Sequence, residues 1–285
     1  MSLSTGTASF VVFKFDRMDV RELADKLNAC KINRATNILT GFTSGKLILD
    51  NEINDDSIHG EILHVQFVEE KPRLDRAMLK AQVALHIDRE KKARGVKYLS
   101  FIERAEIKQA EETLMLANAP YTRSGVEVLF DCSSGLGYFG STSCAKWDGF
   151  CDELRGVGIH SCTLPIDDIT DMLTGLLDGF APTKAIIAPD GQAKFKSDSS
   201  CVTIGNCASD RDVSACAINL DRKCVKLGIV ANGSTFTIDE SGAFSKFKIT
   251  DVKDEEKEII QRVNFFEYAF SEIGIAVEEY KEVTK

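Results

Sequence analysis

Two aspartates and a lysine form the pattern in this sequence that best suits catalysis. Asp190 follows a proline, and Asp221 stands two residues before Lys223. Magnesium-dependent nucleases place carboxylate ligands beside a charge-stabilising lysine in this way. Pro-Asp-Gly is also a usual composition of a tight turn, and acid-x-Lys strings are common by chance. Magnesium-dependent cleavage of DNA therefore stays an alternative, and our first interpretation is a protein without catalytic residues.

Two glycine-rich segments share only part of the pattern of a phosphate-binding loop. Residues 135–140 (GLGYFG) follow a predicted strand and precede a predicted helix, the context of a dinucleotide-binding turn. The bulky Tyr138-Phe139 pair, and the lack of an acidic residue at the end of a second strand ~20 positions on, favour a loop with buried aromatic side chains. Residues 41–46 (GFTSGK) are one residue short of a phosphate loop, with Leu47 where Ser or Thr would bind magnesium. We therefore expect no nucleotide cofactor.

Cysteine and histidine usage limits metal and disulfide chemistry. None of the nine cysteines forms a C-x-x-C pair, and four histidines are too few to complete a zinc site of the usual spacing. Several cysteines lie in apolar runs, where a thiol behaves as a small buried hydrophobic group. No apolar run approaches the ~18 residues of a membrane span, and we expect no secretory signal. We expect reduced cysteines, no metal, no cofactor, no membrane and a cytoplasmic location.

The strongest signal for binding is a basic segment in an acidic chain. The formal net charge is −9, whereas residues 71–117 hold eleven basic side chains against seven acidic ones. A positive segment of this kind attracts anionic partners, and Lys and Arg neutralise phosphates without reading bases. A solvated helix face with i,i+4 ion pairs would have the same composition, so charge alone leaves both interpretations open.

The apolar pattern predicts that this segment forms two antiparallel helices. Pro72 suits the first turn of the first helix, and Gly95 marks the reversal. The second helix is predicted from about residue 96 to Ala117, before Pro120. Two such helices can project ~30 Å as a finger. The predicted inner faces are Leu74, Ala77, Met78, Ala81, Ala84 and Leu85 in the first helix, and Leu99, Ile102, Ala105, Ala110, Leu114 and Ala117 in the second.

The remaining segments predict a mixed body around this finger. Strands are predicted at residues 8–15, 46–50, 61–69 and 126–130, and helices at residues 16–28, 144–155 and 167–177. From residue 182 short strands follow, with Asp190-Gly191 and Asn232-Gly233 as the strongest hairpin turns, and a helix closes the chain. We predict an α+β fold with three parts: a central α+β body (residues 8–70 and 118–180), the helical finger (residues 71–117) and a β-rich region with a terminal helix (residues 181–285).

The order of these elements resembles that of the RdgC family of bacterial recombination-associated DNA-binding proteins. The resemblance covers nearly the whole chain as a pattern with few identities. It lies in SFVVFKFD from Ser9, HVQFVEEK from His64, KQAEETLMLANAPYT from Lys108 and CVKLGIVANGSTFTIDESGAFSKFKITD from Cys224. It implies a homodimer closed into a ring around duplex DNA, which binds with little sequence preference and limits the activity of a RecA-type recombinase.

We therefore predict a non-enzymatic, sequence-independent duplex DNA-binding protein of recombination or replication, associated with the nucleoid. Its predicted partners are double-stranded DNA, a second copy of the chain and a RecA-type recombinase. A protein-docking arm without nucleic-acid binding is a further alternative. Arg123 is included because it lies nearest to the arginine of the family's Leu-Leu-Pro-Arg-Ala-Phe segment, which falls on residues 116–121. The predicted phosphate contacts are Arg76, Lys80, Lys91, Lys92, Arg94, Lys97, Arg104, Lys108 and Arg123.

Overall fold

The computed structural model describes residues 2–30, 32, 39–45, 52–164, 166–197, 200–205, 218, 222–249 and 259–284. These residues form six α-helices and twelve strands, and the strands join in a single antiparallel sheet. The chain is therefore an α+β protein, as its sequence pattern predicts. The predicted strand at residues 46–50, with Leu47 in it, and Asp221 lie outside the described residues.

The helices are α1 (Val20–Ala29), α2 (Arg76–Arg94), α3 (Phe101–Ala117), α4 (Cys144–Gly156), α5 (Ile169–Leu177) and α6 (Ile259–Thr284). The strands are β1 (Ala8–Phe15), β2 (Thr40–Ser44), β3 (Ile58–His59), β4 (Ile62–Pro72), β5 (Tyr121–Asp131), β6 (Leu136–Phe139), β7 (Ser161–Thr163), β8 (Ile187–Ser197), β9 (Ser200–Ile204), β10 (Lys223–Ala231), β11 (Ser234–Asp239) and β12 (Phe244–Ile249). Their order across the sheet is β2-β4-β5-β6-β1-β12-β11-β10-β8-β9, with β3 beside β4 and β7 beside β1.

Strand β1 joins the two halves of the sheet because its side chains are buried on both faces. Its first residues pair with β12, and its later residues pair with β6 and β7. Phe10 lies in a core formed with α5, α6 and strands β8 to β12, whereas Phe13 lies in a second core with α1 and α4. Since successive strand residues point to opposite faces, helices cover the sheet on both sides at this point. The strand predicted at residues 8–15 is confirmed.

Buried polar contacts fasten the N-terminal residues to the sheet. The Glu127 carboxylate accepts hydrogen bonds from the hydroxyls of Ser2 at 2.7 Å and Ser4 at 2.8 Å, and lies 3.3 Å from His64 Nε2. Arg262 on α6 is completely buried and donates to backbone carbonyls of the N-terminal segment at 2.7 and 2.8 Å. Burial raises the pKa of Glu127, but the hydrogen bonds from His64, Ser2 and Ser4 outweigh burial and hold this pKa at about 2.

The prediction of a hairpin turn at Asp190-Gly191 is wrong. Strand β8 runs through both residues, and its pairing with β10 shifts register there. Gly191 has a φ of +72°, and the Asp190 carbonyl packs against Gly228 of β10, where any Cβ would stand only 1.9 Å from it. The glycines therefore form a β-bulge, which needs the same backbone freedom as a turn. Asn232-Gly233 does form the predicted hairpin, between β10 and β11.

The glycine-rich segment at residues 135–140 belongs to the sheet and does not cap a helix. Residues Leu136–Phe139 are β6, which forms a hairpin with β5, and both Tyr138 and Phe139 are buried. A Cβ on Gly137 would stand 2.1 Å from the ring of Phe13. The structure therefore agrees with the expectation of buried aromatic side chains and not with a dinucleotide-binding turn. The segment is a strand and not a loop, and Gly137 allows the Phe13 ring to pack closely against it.

Candidate nucleic-acid interface on the helical finger

Helices α2 and α3 form the finger, which is inserted between the paired strands β4 and β5. Strand β4 ends at Pro72, which pairs with Tyr121 at the start of β5. The Arg73 N–H donates to the Pro120 carbonyl at 2.8 Å and closes the base of the finger. The two helices, which are described throughout, pack mainly on each other, and no residue of either belongs to the two hydrophobic cores. At 1.5 Å per residue, the 19 residues of α2 extend ~28 Å.

Local sequence explains where each finger helix begins and ends. The Asp75 side chain accepts two backbone N–H groups at 2.9 and 3.1 Å, so α2 begins directly after it and not at Pro72. Gly95 has a φ of 65° and ends α2, as predicted. Ser100 and Glu103 form a reciprocal capping box, so α3 begins directly after Ser100 and not near residue 96. Residues 96–102, hereafter the tip, connect the two helices and include the first two residues of α3.

Most of the predicted inner-face residues of the finger helices are exposed, so this prediction is wrong except at Leu99 and the half-buried Leu74. Met78 and Leu85 of α2 are 55% and 50% exposed, and Ile102 and Leu114 of α3 are 68% and 63% exposed. Their alanine neighbours in the predicted stripes are exposed as well. Leu99 is buried, as predicted. The apolar stripes therefore point outward, and other side chains hold the helices together.

Polar side chains form part of the contact between α2 and α3. His86 Nδ1 lies 2.7 Å from a carboxylate oxygen of Glu111, and Arg94 bonds Glu103 at 2.8 Å. The two pairs are eight residues apart on each helix: His86 precedes Arg94 on α2, and Glu111 follows Glu103 on α3. This is the register of an antiparallel hairpin. Leu79 is the buried apolar side chain of α2.

One flank of the hairpin is basic. We define the basic flank as five side chains on that side of the two helices: Arg76, Lys80, Lys91, Arg104 and Lys108. Arg76, Lys80 and Lys108 line one groove between the helices, of about 490 Å³, together with a single acidic side chain, Glu112. Lys91 lies three helical turns beyond Lys80 on the same side of α2, and Arg104 lies one turn before Lys108 on α3. The groove on the opposite flank is lined by Met78, Gln82, Glu111 and Leu114 among others.

The cations of the basic flank are available to a ligand. Among the described residues, none of the five lies within 4 Å of a carboxylate oxygen, whereas Arg94 bonds both Glu90 and Glu103. Four of the five are exposed and Lys91 is half-buried. An anion can therefore reach these side chains without displacing a carboxylate.

The other predicted contacts lie in different surroundings. The Arg123 guanidinium bonds the Glu70 carboxylate at 2.8 Å, and the two side chains are only 13% and 2% exposed. Arg94 is held by its two glutamates. Lys92 is exposed near the end of α2, and Lys97 Nζ in the tip lies 5.8 Å from the ring centroid of Tyr98. The nine predicted residues thus divide into the basic flank, two cations near the tip and two that are already paired.

The tip carries apolar side chains that the sequence interpretation passed over. Tyr98 and Phe101 are 76% and 79% exposed, although Leu99 between them is 6% exposed. Ile102 beside them was predicted as an inner residue. The exposure of Phe101 could have been predicted from the sequence. The Ser-x-x-Glu capping box places Phe101 at the first position of the helix, where no preceding helical turn can cover its side chain.

Of the three residues of the alternative nuclease site, the two that the structure describes, Asp190 and Lys223, are not brought together. Lys223 Nζ pairs with Asp171 at 2.6 Å, and Lys223 lies opposite Lys196 in the sheet. Asp190 lies six residues before Lys196 along β8, on the order of 20 Å away at ~3.3 Å per residue. Within the described ranges, no group of three or more His, Cys, Asp or Glu side chains could hold a metal ion.

The fold and the site together define an α+β protein with an inserted helical hairpin that is basic on one flank. No family model matches the chain, and no curated protein matches it. None of the described helices is both long enough and apolar enough to cross a membrane.

Proposed function

We propose that this chain is a non-enzymatic protein that binds duplex DNA without sequence preference through the basic flank of its finger. The observation that carries the proposal is the set of five basic side chains on one flank, with no carboxylate within 4 Å of any of them among the described residues. Such side chains can neutralise phosphates without first breaking an ion pair. Because they contact the backbone of DNA and not base edges, we expect little sequence preference.

The length of the basic flank suits a run of phosphates. From Arg76 to Lys91 the flank follows α2 for about 22 Å, at 1.5 Å per residue. This distance corresponds to about six base pairs of duplex, at 3.4 Å each. A duplex lying along the finger would therefore offer several phosphates to the same flank.

The charge of the rest of the chain favours the same orientation. Residues 71–117 carry a formal charge of +4 in a chain of net charge −9, so the other residues carry −13. A body of that sign repels DNA, while the finger attracts it. The electrostatic field therefore favours contact of a duplex with the finger over contact with the rest of the chain.

The proposal includes the assembly that the resemblance to the RdgC family implies. We propose a homodimer that encloses duplex DNA as a ring, limits the activity of a RecA-type recombinase and is associated with the nucleoid in the cytoplasm. The resemblance alone supports these parts of the proposal. The finger geometry supports DNA binding itself.

Charge removal tests the basic flank. The triple variant Arg76→Ala/Lys80→Ala/Lys108→Ala removes three cations from the flank, and Lys194→Ala/Lys196→Ala/Lys248→Ala removes three exposed cations from the C-terminal strands. Fluorescence anisotropy would measure the affinity of each protein for two 30-base-pair duplexes of unrelated sequence. We expect the flank variant to bind both duplexes about tenfold or more weakly, and the control variant to bind nearly as the wild type does.

Two results would contradict the proposal. Equal losses in the two variants would show that total charge, and not the flank, governs binding. A wild-type protein that binds no duplex at low salt would exclude the proposed function. If the flank variant changes oligomer size in light scattering and leaves DNA binding unchanged, the finger is a protein-docking arm.

A further inference from the structure

The tip of the finger is apolar, whereas its flank is charged. Val96, Tyr98, Phe101 and Ile102 are exposed large apolar side chains within seven consecutive residues. Single exposed apolar residues are normal on a protein surface, but a concentration of them indicates a binding site. Two of the four are aromatic, and an aromatic ring offers a flat face for stacking.

The tip holds these rings in a defined geometry. Leu99 is buried between them, and Ser100 Oγ accepts the Glu103 N–H at 3.2 Å while the Glu103 carboxylate accepts the Ser100 N–H at 2.7 Å. Arg94 bonds the same carboxylate and so ties the end of α2 to the start of α3. A pre-ordered site loses less conformational entropy when it binds a ligand.

The charge around the tip points to an anionic partner. Residues 89–104 contain six basic side chains and two acidic ones. Nucleic acid and an anionic lipid surface both combine negative charge with apolar groups. A flat membrane touched by the tip would not reach Lys80 or Arg76, about 21 and 27 Å back from the end of α2 at 1.5 Å per residue. A nucleic acid strand can follow the flank with its phosphates and meet the tip with a base.

We propose that Tyr98 and Phe101 stack on unpaired nucleobases, so that the finger binds DNA with a gap, bubble or fork more tightly than continuous duplex. The inference rests on the proposed function and names the DNA structure that the same finger selects. In a duplex each base face is covered by its neighbours, and exposing one costs free energy, whereas unpaired bases are already accessible. Stacking on an aromatic side chain tolerates any base, so the selection is for structure and not for sequence.

The test compares two 40-base-pair DNAs that differ only in a central bubble of six mismatched pairs. Anisotropy at one fixed salt concentration would give the affinities of the wild type and of Tyr98→Ala/Phe101→Ala. A stacked ring contributes roughly 5- to 150-fold in affinity. We expect wild type to prefer the bubble by about tenfold or more, and the tip variant to lose this preference while keeping its affinity for duplex.

Two further variants test whether the bubble preference depends on the two aromatic rings or only on the amount of exposed apolar surface. Met78→Ala/Leu85→Ala removes exposed apolar side chains elsewhere on the finger and should leave the bubble preference intact. Tyr98→Phe/Phe101→Tyr keeps both rings and should also keep it. Loss of the preference in either variant would overturn stacking by the tip.

The remaining outcomes distinguish the inference from the function on which it rests. If the wild type binds bubble and duplex equally, the inference is overturned and the proposed function stands. If the tip variant changes oligomer size, or loses binding to anionic vesicles, with its bubble preference unchanged, the tip serves a protein or a lipid surface and the inference is overturned. If the wild type binds neither DNA at low salt, the inference and the proposed function both fail.

Discussion

Arg123 and Glu70 form an ion pair at the base of the finger, between strands β5 and β4. Their atoms lie 2.8 Å apart, and the Glu70 side chain is almost wholly buried. Removing one partner of a buried pair is strongly destabilising, because the other charge loses its counter-ion in a poorly solvated place. Arg123 therefore stabilises the strands that carry the finger, and we expect it to make no contact with DNA.

Arg123→Ala should lower the free energy of unfolding by about 3 kcal/mol, measured by urea titration. The folded variant should bind duplex nearly as tightly as the wild type does. Lys92→Ala, which removes an exposed cation, is the control and should leave stability unchanged. An Arg123→Ala protein of normal stability with weakened DNA binding would show that this residue contacts phosphate after all.

Glu127 makes the attachment of the N-terminal segment sensitive to acid. Its pKa is about 2 in the folded chain, against 4.5 for an ordinary glutamate. A carboxylate with a lowered pKa adds stability that is fully present above the unfolded pKa and is lost as the pH falls toward the folded pKa. The shift corresponds to at most roughly 3 kcal/mol.

Urea unfolding of wild type and Glu127→Gln between pH 6 and pH 3 measures this contribution. The wild type should be the more stable protein at pH 6, and the difference should shrink by roughly 2 kcal/mol by pH 3. The glutamine variant cannot titrate at this position and supplies the baseline. A difference that stays constant over this range would show that the ionised form of Glu127 is not the stabilising one.

The finger helices show what an apolar pattern can and cannot predict. Their existence, their antiparallel arrangement and the reversal at Gly95 follow from composition and helix-ending residues. Their inner faces do not, because exposed alanines and Met78 produce a stripe as regular as a buried one. The contacts that join the helices include His86 with Glu111, a pair that only the hairpin register brings together.

Some strand and turn predictions are likewise confirmed and others are wrong. Strand β1 has the bounds that its sequence predicts, because apolar side chains on both of its faces mark it as a buried strand. A glycine with positive φ suits a hairpin turn and a bulge equally well, which explains the error at Asp190-Gly191. Likewise, basic residues of the site can be found from the sequence, but the partners of Arg94 and Arg123 cannot, because tertiary structure supplies Glu103 and Glu70.

The capping box at Ser100 is the element-scale feature on which the geometry of the tip depends. Ser100→Ala should destabilise the first turn of α3 by about 1 kcal/mol, because the Glu103 N–H loses its acceptor. Hydrogen exchange at the amides of residues 101–104 would measure the change. Ser143→Ala is a matched control, since Ser143 occupies the N-cap of α4 without a side-chain hydrogen bond. Similar changes in exchange at the two helix starts would contradict this role of the capping box.

At the scale of the whole molecule, the hydrophobic cores and the finger are separate parts of the fold. The sheet buries two cores, and the residues outside 71–117 carry a formal charge of −13, while the finger contributes to neither core and carries +4. Changes on the flank should therefore alter DNA binding with little effect on global stability. This separation makes the function testable by surface substitutions alone.

The salt dependence of duplex binding tests the central claim most directly. Each phosphate neutralised contributes a slope of about −0.9 to the plot of log Kobs against log salt concentration. Contact through the five residues of the basic flank predicts a slope near −4.5 for the wild type, and Lys80→Ala or Lys108→Ala should each make it shallower by about 0.9. The Lys194→Ala control should leave the slope unchanged. A slope near zero, or the same slope in all four proteins, would contradict the assignment of DNA binding to the basic flank.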